Sequence, residues 1–516
     1  MAYSNNHRFS TSSGVILKHL MVGVAVVALL GFYRPALLHA ASKITPIQVA
    51  ADEPPPPPPP DSGDVPGDEP PPPPPDEGDP DVAPDTDTTE EIQPLEPGEA
   101  VVTRFSHTTE QEDSSGKPET VIDLSGTSAS IIDIRRPGEP PSGQHWIDEP
   151  QRMPVTAGEV GQVFGVTLSD DETPDIFLSA TAAFGLHRVD VGGGESDWMP
   201  GMWGPDAGPG TLYRLSVDNG FTAEKFADVR LDGRPNSGAS LGNIAYDRAH
   251  KQIFVSDLET GMIHRIDAES GEDLGHFDHG AFGRTSFVDA WTGQDLSLDP
   301  VEFDSSSSAK VNSCPGDFSK TPSCWNVADF RRRIWGLGVR QDREGGTRLY
   351  YSVWGSDALG NGDWSKAGDD RRNSVWSIGI SDNGNFNTKS VRREFFLPAF
   401  WPSTPDMGDK AGNSNPGSDI TFPECGPPNV MIVSERGGMR NLGLTKPEPF
   451  ARPHESRVLR YEMGSDGIWR PKGRYDVGFY DRASKDGPPP VFANASGGAA
   501  FGYGFDEGGS IDTSTI

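Results

Sequence analysis

Residues 240–267 read SLGNIAYDRAHKQIFVSDLETGMIHRID. A short apolar run, LGNIAY, closes in the polar turn DRAHK. A second run, QIFVSD, follows, and after LETG comes a third, MIHRID. Apolar positions alternate or cluster over five or six residues, β-branched and aromatic types dominate, and Gly and Asp punctuate the ends. That is the signature of strands joined by tight turns. Close variants recur downstream: RLYYSVW at 348–354, SVWSIGIS at 374–381 and NVMIVSE at 429–435.

Working outward, four such units lie between Val163 and Asp476. The first places strands near Val163–Leu168, Asp175–Ser179, Thr211–Val217 and Lys225–Leu231. The second has Asn243–Tyr246, Gln252–Ser256, Met262–Asp267 and Leu274–Phe277. The third has Trp335–Val339, Arg348–Val353, Ser374–Ile380 and Val391–Leu397, and the fourth Asp419–Phe422, Asn429–Ser434, Arg457–Met463 and Ile468–Asp476. A repeated four-stranded unit with no helical period between copies predicts an all-β fold, a β-propeller of four-stranded blades. A fifth unit opens at GGAAFGYGFDEGG, and the chain stops at Ile516. Either the early strands TVIDLSG and ASIIDIRR complete that blade, or the chain is a truncated piece; the lack of a packing strand at the end favours truncation.

Upstream of the propeller, expected over residues 101–516, the composition changes. Residues 43–100 contain Pro54–Pro60 and Pro70–Pro75 among acids, and 52–100 hold 16 acidic side chains and no basic one. Oligoproline favours an extended polyproline conformation and like charges stiffen it, so the segment reads as a disordered spacer on the order of 100 Å long at about 3.1 Å per residue. A Pro-rich ligand for an aromatic groove is the alternative. Residues 1–42 carry Arg8 and Lys18, an apolar run from Leu20 to Tyr33, then Ala40, Ala41 and Ser42. A run this short, against roughly 20 residues for a bilayer span, reads as a signal peptide, with an uncleaved anchor as the alternative. Both export the rest of the chain to the periplasm or beyond, and the membrane is then met only through this segment. The net charge is −32. So acidic a chain repels phosphate backbones, which sets nucleic acid aside as a partner.

Export gives the cysteines a context. Cys314 and Cys324 lie in a Pro/Gly loop that can bend them into a disulfide, with three free thiols as the alternative. Cys425 is left over.

In a blade the A–B and C–D turns share one face, and the B–C and D-to-A connections share the other. The short turns DDET, DRAHK, ESGED and GSDG fall in the first class. The long connections 181–210, 278–334, 354–373, 398–418, 435–456 and 478–497 fall in the second. Loops this long are uncommon unless they work, so the working surface is expected on that face. Trp beside acid recurs there: Trp198 with Asp197, Trp203 with Asp206, and Trp364 with Asp357 and Asp363. Aromatic faces with carboxylates suit sugars or cationic ligands, and loop-capping is the alternative. His276 and His279, in HFDHG, read as exposed turn histidines, with ligand histidines as the alternative.

The stretch 240–267 resembles the NHL-repeat and gluconolactonase-type six-bladed propellers, closely in this one blade and loosely in the other three. The resemblance implies a polar centre, and in the lactonase branch a divalent metal at the channel mouth. By residue type its ligands here would be Asn243, Asp257, Asp419 and Glu435, an oxygen set suited to calcium. GASLG around Ser240 lacks the strand-to-helix turn of a nucleophile elbow. The readings left are a binding module for an envelope protein or glycan, a metal-dependent lactonase-like hydrolase, and a quinone-dependent sugar dehydrogenase whose His and Arg constellation is not found. The carboxylates are scattered along the sequence, which favours binding.

Overall fold

The computed structural model describes residues 92–106, 108–112, 114–116, 118–134, 151–181, 188–198, 203–236, 241–303, 327–342, 346–356, 363–399, 415–423, 429–436, 456–475, 497–502, 504–505 and 511–512, all within one compact unit, 87–516. Cys314, Cys324 and Asp357 lie outside them, as do the N-terminal segment and most of the spacer. The fold is a β-propeller of five antiparallel sheets.

Blade 1 runs Val163–Leu168, Ile176–Ala180, Thr211–Leu215, Glu224–Asp228. Blade 2 runs Leu241–Asp247, Gln252–Asp257, Met262–Asp267, Asp273–Asp278. Blade 4 runs Gly417–Thr421, Val430–Glu435, Val458–Met463, Trp469–Tyr475. Each is an A-B-C-D meander in chain order. Blade 3 runs Ile334–Gln341, Thr347–Val353, Ser374–Ile380, Phe386–Phe396 and has two further strands from the preceding connection. Phe287–Asp289 pairs parallel to its outer strand and Gln294–Leu296 pairs with Phe287–Asp289. The long 278–334 connection therefore covers an edge that would otherwise be open.

The strands are apolar on both faces because each blade packs against two neighbours. Ile253 and Val255 join Phe177 and Leu212 between blades 1 and 2. Phe254 and Ile263 join Leu337 and Tyr351 between blades 2 and 3. Val375 and Phe395 join Met431 and Val433 between blades 3 and 4. Side chains alternate across a strand, so two buried faces turn it into a nearly continuous apolar run.

The fifth sheet is made by Glu99–Thr103, Thr127–Asp133 and Gln151–Thr156, with the second of these in the middle. It buries Ala129, Ile131 and Val155 against Val163 and Leu178 of blade 1. The segment 497–502 is held by blade 4. Ser418 Oγ donates to Gly497 O at 2.6 Å, and Ala499 N–H donates to Asp419 Oδ2 at 3.0 Å. The early strands thus form a fifth sheet packed on blade 1. ASIIDIRR forms its central strand. TVIDLSG does not join it: Pro118–Ile122 pairs with Thr108–Glu112 in a separate hairpin. The β structure also starts at Glu99, slightly upstream of the expected boundary, and Arg152 fixes that start through Gln93 O, Pro94 O and the Glu99 carboxylate.

One device repeats at every inner strand. The register shifts at the same level in all four blades, opposite Ser179, Ser256, Ser352 and Ser434. Ser179 Oγ accepts from Gly165 N–H and donates to Gly242 O, both at 3.0 Å. Ser256 Oγ accepts from Asn243 N–H at 2.9 Å and donates to Trp335 O at 2.7 Å. Ser352 accepts from Gly336 N–H and donates to Gly417 O, and Thr103 Oγ1 donates to Phe164 O at 2.8 Å from the fifth sheet. The hydroxyls of Ser179, Ser256 and Ser352 each satisfy a bulge in their own blade and grip the next, whereas that of Ser434 has no partner among the described residues. The inner strands meet backbone to backbone: a Cβ on Gly336 would stand 2.6 Å from Gly417 O.

Candidate functional site

At the start of the inner strands, one position per blade faces the axis: Gly165, Asn243, Gly336 and Asp419. The two glycines make room for the two polar side chains. Asn243 Nδ2 donates to Asp419 Oδ1 at 2.7 Å and approaches Leu337 O at 3.4 Å. Asp419 keeps some solvent contact, yet burial pushes its carboxyl up to about 6, against the opposing pull of its Ala499 N–H and Asn243 hydrogen bonds.

The other two residues of the implied metal set are engaged elsewhere. Asp257 caps the turn after its strand, accepting from Asn236 Nδ2, Glu259 N–H and Thr260 Oγ1. Glu435 is buried and both its oxygens accept from Arg457, at 2.5 and 2.7 Å. Among the described residues no group of three or more His, Cys, Asp or Glu side chains is arranged to hold a metal ion. Two of the four candidates meet, and they meet each other.

The tryptophans also have structural surroundings. Trp203 is buried against Ala180 and Ala207, and its carbonyl accepts from Tyr213 Oη. Trp364 is buried, donates from Nε1 to Gly355 O at 2.7 Å and lies under Arg371. Neither ring offers an open face. Trp198 ends a short strand paired with Arg188, and Asp363 precedes the 3-10 turn Trp364–Lys366.

A cleft of about 280 Å³ does open on the long-loop face, beside the outer half of blade 3. Its walls come from the 278–334 connection, the blade 3 B–C connection, and the adjoining ends of strands B, C and D. His279, Arg284, Arg372, Trp376, Arg393 and Phe396 are among its lining residues. Most were not singled out from sequence, and His279 was expected to be exposed. His276 is exposed, but His279 is fully buried: a single π-helical turn, His279–Gly283, folds it under Trp376, ring centroids 4.7 Å apart. Burial, with Arg284 and Arg332 nearby, holds the imidazole well below its ordinary pKa and therefore neutral. Its Nδ1 stands 3.1 Å from Tyr351 Oη, whose own pKa burial raises well above the ordinary phenol. Tyr351 Oη has no other acceptor among the described residues, so we assign the phenol as the donor to Nδ1, which places the imidazole proton on Nε2. That Nε2 is buried with no partner among the described residues.

Ion pairs brace the cleft. Arg284 grips Asp370 at 2.9 and 3.0 Å, tying the two connections together. Arg393 grips Asp289 at 2.7 Å and lies over Phe396 and Phe287.

No family model matches the chain, and no curated protein matches it. Among solved structures it is similar to a hypothetical selenium-binding protein from Sulfolobus tokodaii, at 12% identity and TM-score 0.33; 71% of this chain is covered, and the chain spans 61% of that protein's length. A putative 6-phosphogluconolactonase from Bacteroides fragilis matches at 11% identity and TM-score 0.30, covering 73% of this chain and 82% of that one. The β-propeller domain of Myceliophteria thermophila Swd1 matches at 8% and 0.24, covering 61% and 73%. Likeness at this level carries no argument about chemistry.

Proposed function

We propose that this chain is an exported cell-envelope propeller that binds its ligand, a glycan or an envelope protein's exposed group, through the long-loop face. The observation that supports it is the cleft beside blade 3, small, braced by ion pairs and walled by aromatic rings and a buried imidazole with an unspent Nε2. Sites that fix small ligands share this make-up, an apolar wall with a few placed polar groups. Export rests on the basic and apolar N-terminus; among the described residues no helix is long and apolar enough to cross a membrane. The test is a binding screen of the purified full chain against soluble glycan fragments, followed by intrinsic tryptophan fluorescence, alongside fractionation of the expressing cells. Saturable binding lost in Trp376→Ala, with the protein outside the cytoplasm, supports the reading; retention in the cytoplasm or binding indifferent to the cleft overturns it.

The lactonase-like reading keeps one supporting observation, the meeting of Asn243 and Asp419 on the axis. Stoichiometric calcium in protein purified without chelator, together with lactone hydrolysis that chelator abolishes, would favour it over binding.

A further inference from the structure

The unspent hydrogen-bonding capacity of the cleft is nearly all of one kind. Arg284 uses its guanidinium on Asp370 and on the carbonyls of Asp299 and Arg331. Arg331 turns Nε and Nη2 to Asp329, and Arg393 turns the same pair of groups to Asp289. Each of these last two keeps Nη1 without a hydrogen bond to a described residue. Among the described residues Arg372 has only Asp369 as an ionic partner, at 3.6 Å and itself 72% exposed, and its guanidinium lies 3.9 Å over the Phe396 ring. Add the Nε2 proton of His279, and the side chains that wall the cleft offer chiefly donors, with the exposed Asp369 carboxylate at the rim beside Arg372. Both Asp370 oxygens are taken by Arg284.

We propose that the cleft takes a compact ligand bearing a carboxylate, held bidentately by the Arg372 fork, with another oxygen of the ligand accepting from His279 Nε2. The proposal rests on the binding reading of the long-loop face. A planar guanidinium matches a carboxylate in two parallel hydrogen bonds, and stacking on Phe396 fixes the plane of the fork before the ligand arrives. A neutral polyol must donate as well as accept, and of the two carboxylates lining the cleft Asp370 is spent on Arg284 while Asp369 is largely turned to solvent. A phosphate wants more than one free cation, whereas Arg284, Arg331 and Arg393 are each already paired with a carboxylate. Filling the cleft also gives the buried His279 N–H the partner whose absence costs about 1–3 kcal/mol. The volume, just under the usual range for small-molecule sites, limits the ligand to about one ring.

The test is calorimetric titration of the full chain with D-glucuronate and benzoate, and with glucose and glucose 6-phosphate for comparison. At least one carboxylate binds saturably and glucose binds tenfold or more weakly. Arg372→Lys, which keeps the charge and loses the fork, weakens the carboxylate tenfold or more. His279→Phe does the same, while His279→Gln, which retains an N–H, recovers part of the loss. Urea midpoints check that each variant is folded. If a folded Arg372→Lys binds as tightly as the parent, or glucose or glucose 6-phosphate binds as well as the carboxylates, the carboxylate assignment falls and the binding reading stands. If none of the four probes binds, the carboxylate assignment falls. If glycan binding in the wider screen also ignores Trp376→Ala, both fall.

Discussion

Asn243 of blade 2 and Asp419 of blade 4 are 176 positions apart in the chain and 2.7 Å apart across the propeller axis. No property of either residue type predicts the pairing. It follows from their equivalent places at the start of inner strands, with Gly336 of the blade between them leaving the space. Through Ala499 the same aspartate holds the segment 497–502, so one carboxylate ties together blades 2 and 4 and that late segment of the chain.

That carboxylate makes stability depend on pH. Its folded pKa of about 6 stands above the ordinary value of 3.8. The folded state therefore binds this proton more tightly than the unfolded chain does. The contribution is complete below about pH 4 and is lost as pH rises through about 6. A shift of this size is worth up to about 3 kcal/mol, and the remaining solvent contact reduces it to roughly 1–2. Asp419→Asn keeps an amide in place and never ionises. Between pH 4 and pH 7 its stability relative to the parent should rise by that amount, read from urea denaturation at both pH values. A constant difference would show that Asp419 does not titrate with folding.

The repeated serines make a second, sharper contrast. Ser256→Ala strips both Asn243 N–H and Trp335 C=O of a partner inside the protein, and is expected to cost about 1–3 kcal/mol. Ser434 occupies the same place in blade 4, but its buried hydroxyl has no partner among the described residues. Ser434→Ala should be neutral or slightly stabilising. Equal losses in the two variants, by urea midpoint, would mean that these hydroxyls do not latch blade to blade.

The blades were legible because their physics is local and repeated. Ile253, Phe254 and Val255 are apolar in succession because blades lie on both sides, and Asp257 and Gly261 mark the turn that follows. The Ser at the end of that run was visible in three of the quoted strings, but its role needs the neighbouring blade. What could not be read depends on distant partners. His279 looks like a turn residue until Trp376 and Tyr351 cover it. Trp203 and Trp364, apolar bodies with one donor, suit an open ligand face and a loop core equally, and only packing decides. The strand Thr127–Asp133 was found, yet its place beside blade 1 rests on contacts with Val163 and Leu178 that no local pattern encodes.

The cleft wall gives a prediction about motion. Arg284 reaches from the blade 2–3 connection to Asp370 in the turn Gly368–Arg371, and this bidentate pair ties the two segments together. Arg284→Gln keeps an amide but loses the fork. Exchange of backbone amides over residues 363–373, followed by hydrogen–deuterium mass spectrometry, should speed up while those of strand Ser374–Ile380 stay protected. Uniform acceleration across blade 3 would instead make the pair part of the core.

Glu435 and Arg457 supply the largest expected single effect. Their side chains are 2% and 9% exposed, and the guanidinium also donates to Pro398 O at 2.7 Å. Removing one partner strands a charge that water cannot reach, so Glu435→Gln should cost about 3–5 kcal/mol. Removing both is different, because the desolvation of the pair disappears along with its attraction. Glu435→Leu combined with Arg457→Met should therefore recover most of that loss in a urea melt. If Glu435 were instead free to ligate an ion, Glu435→Gln would cost little in metal-free protein, and the double variant would be the worse of the two.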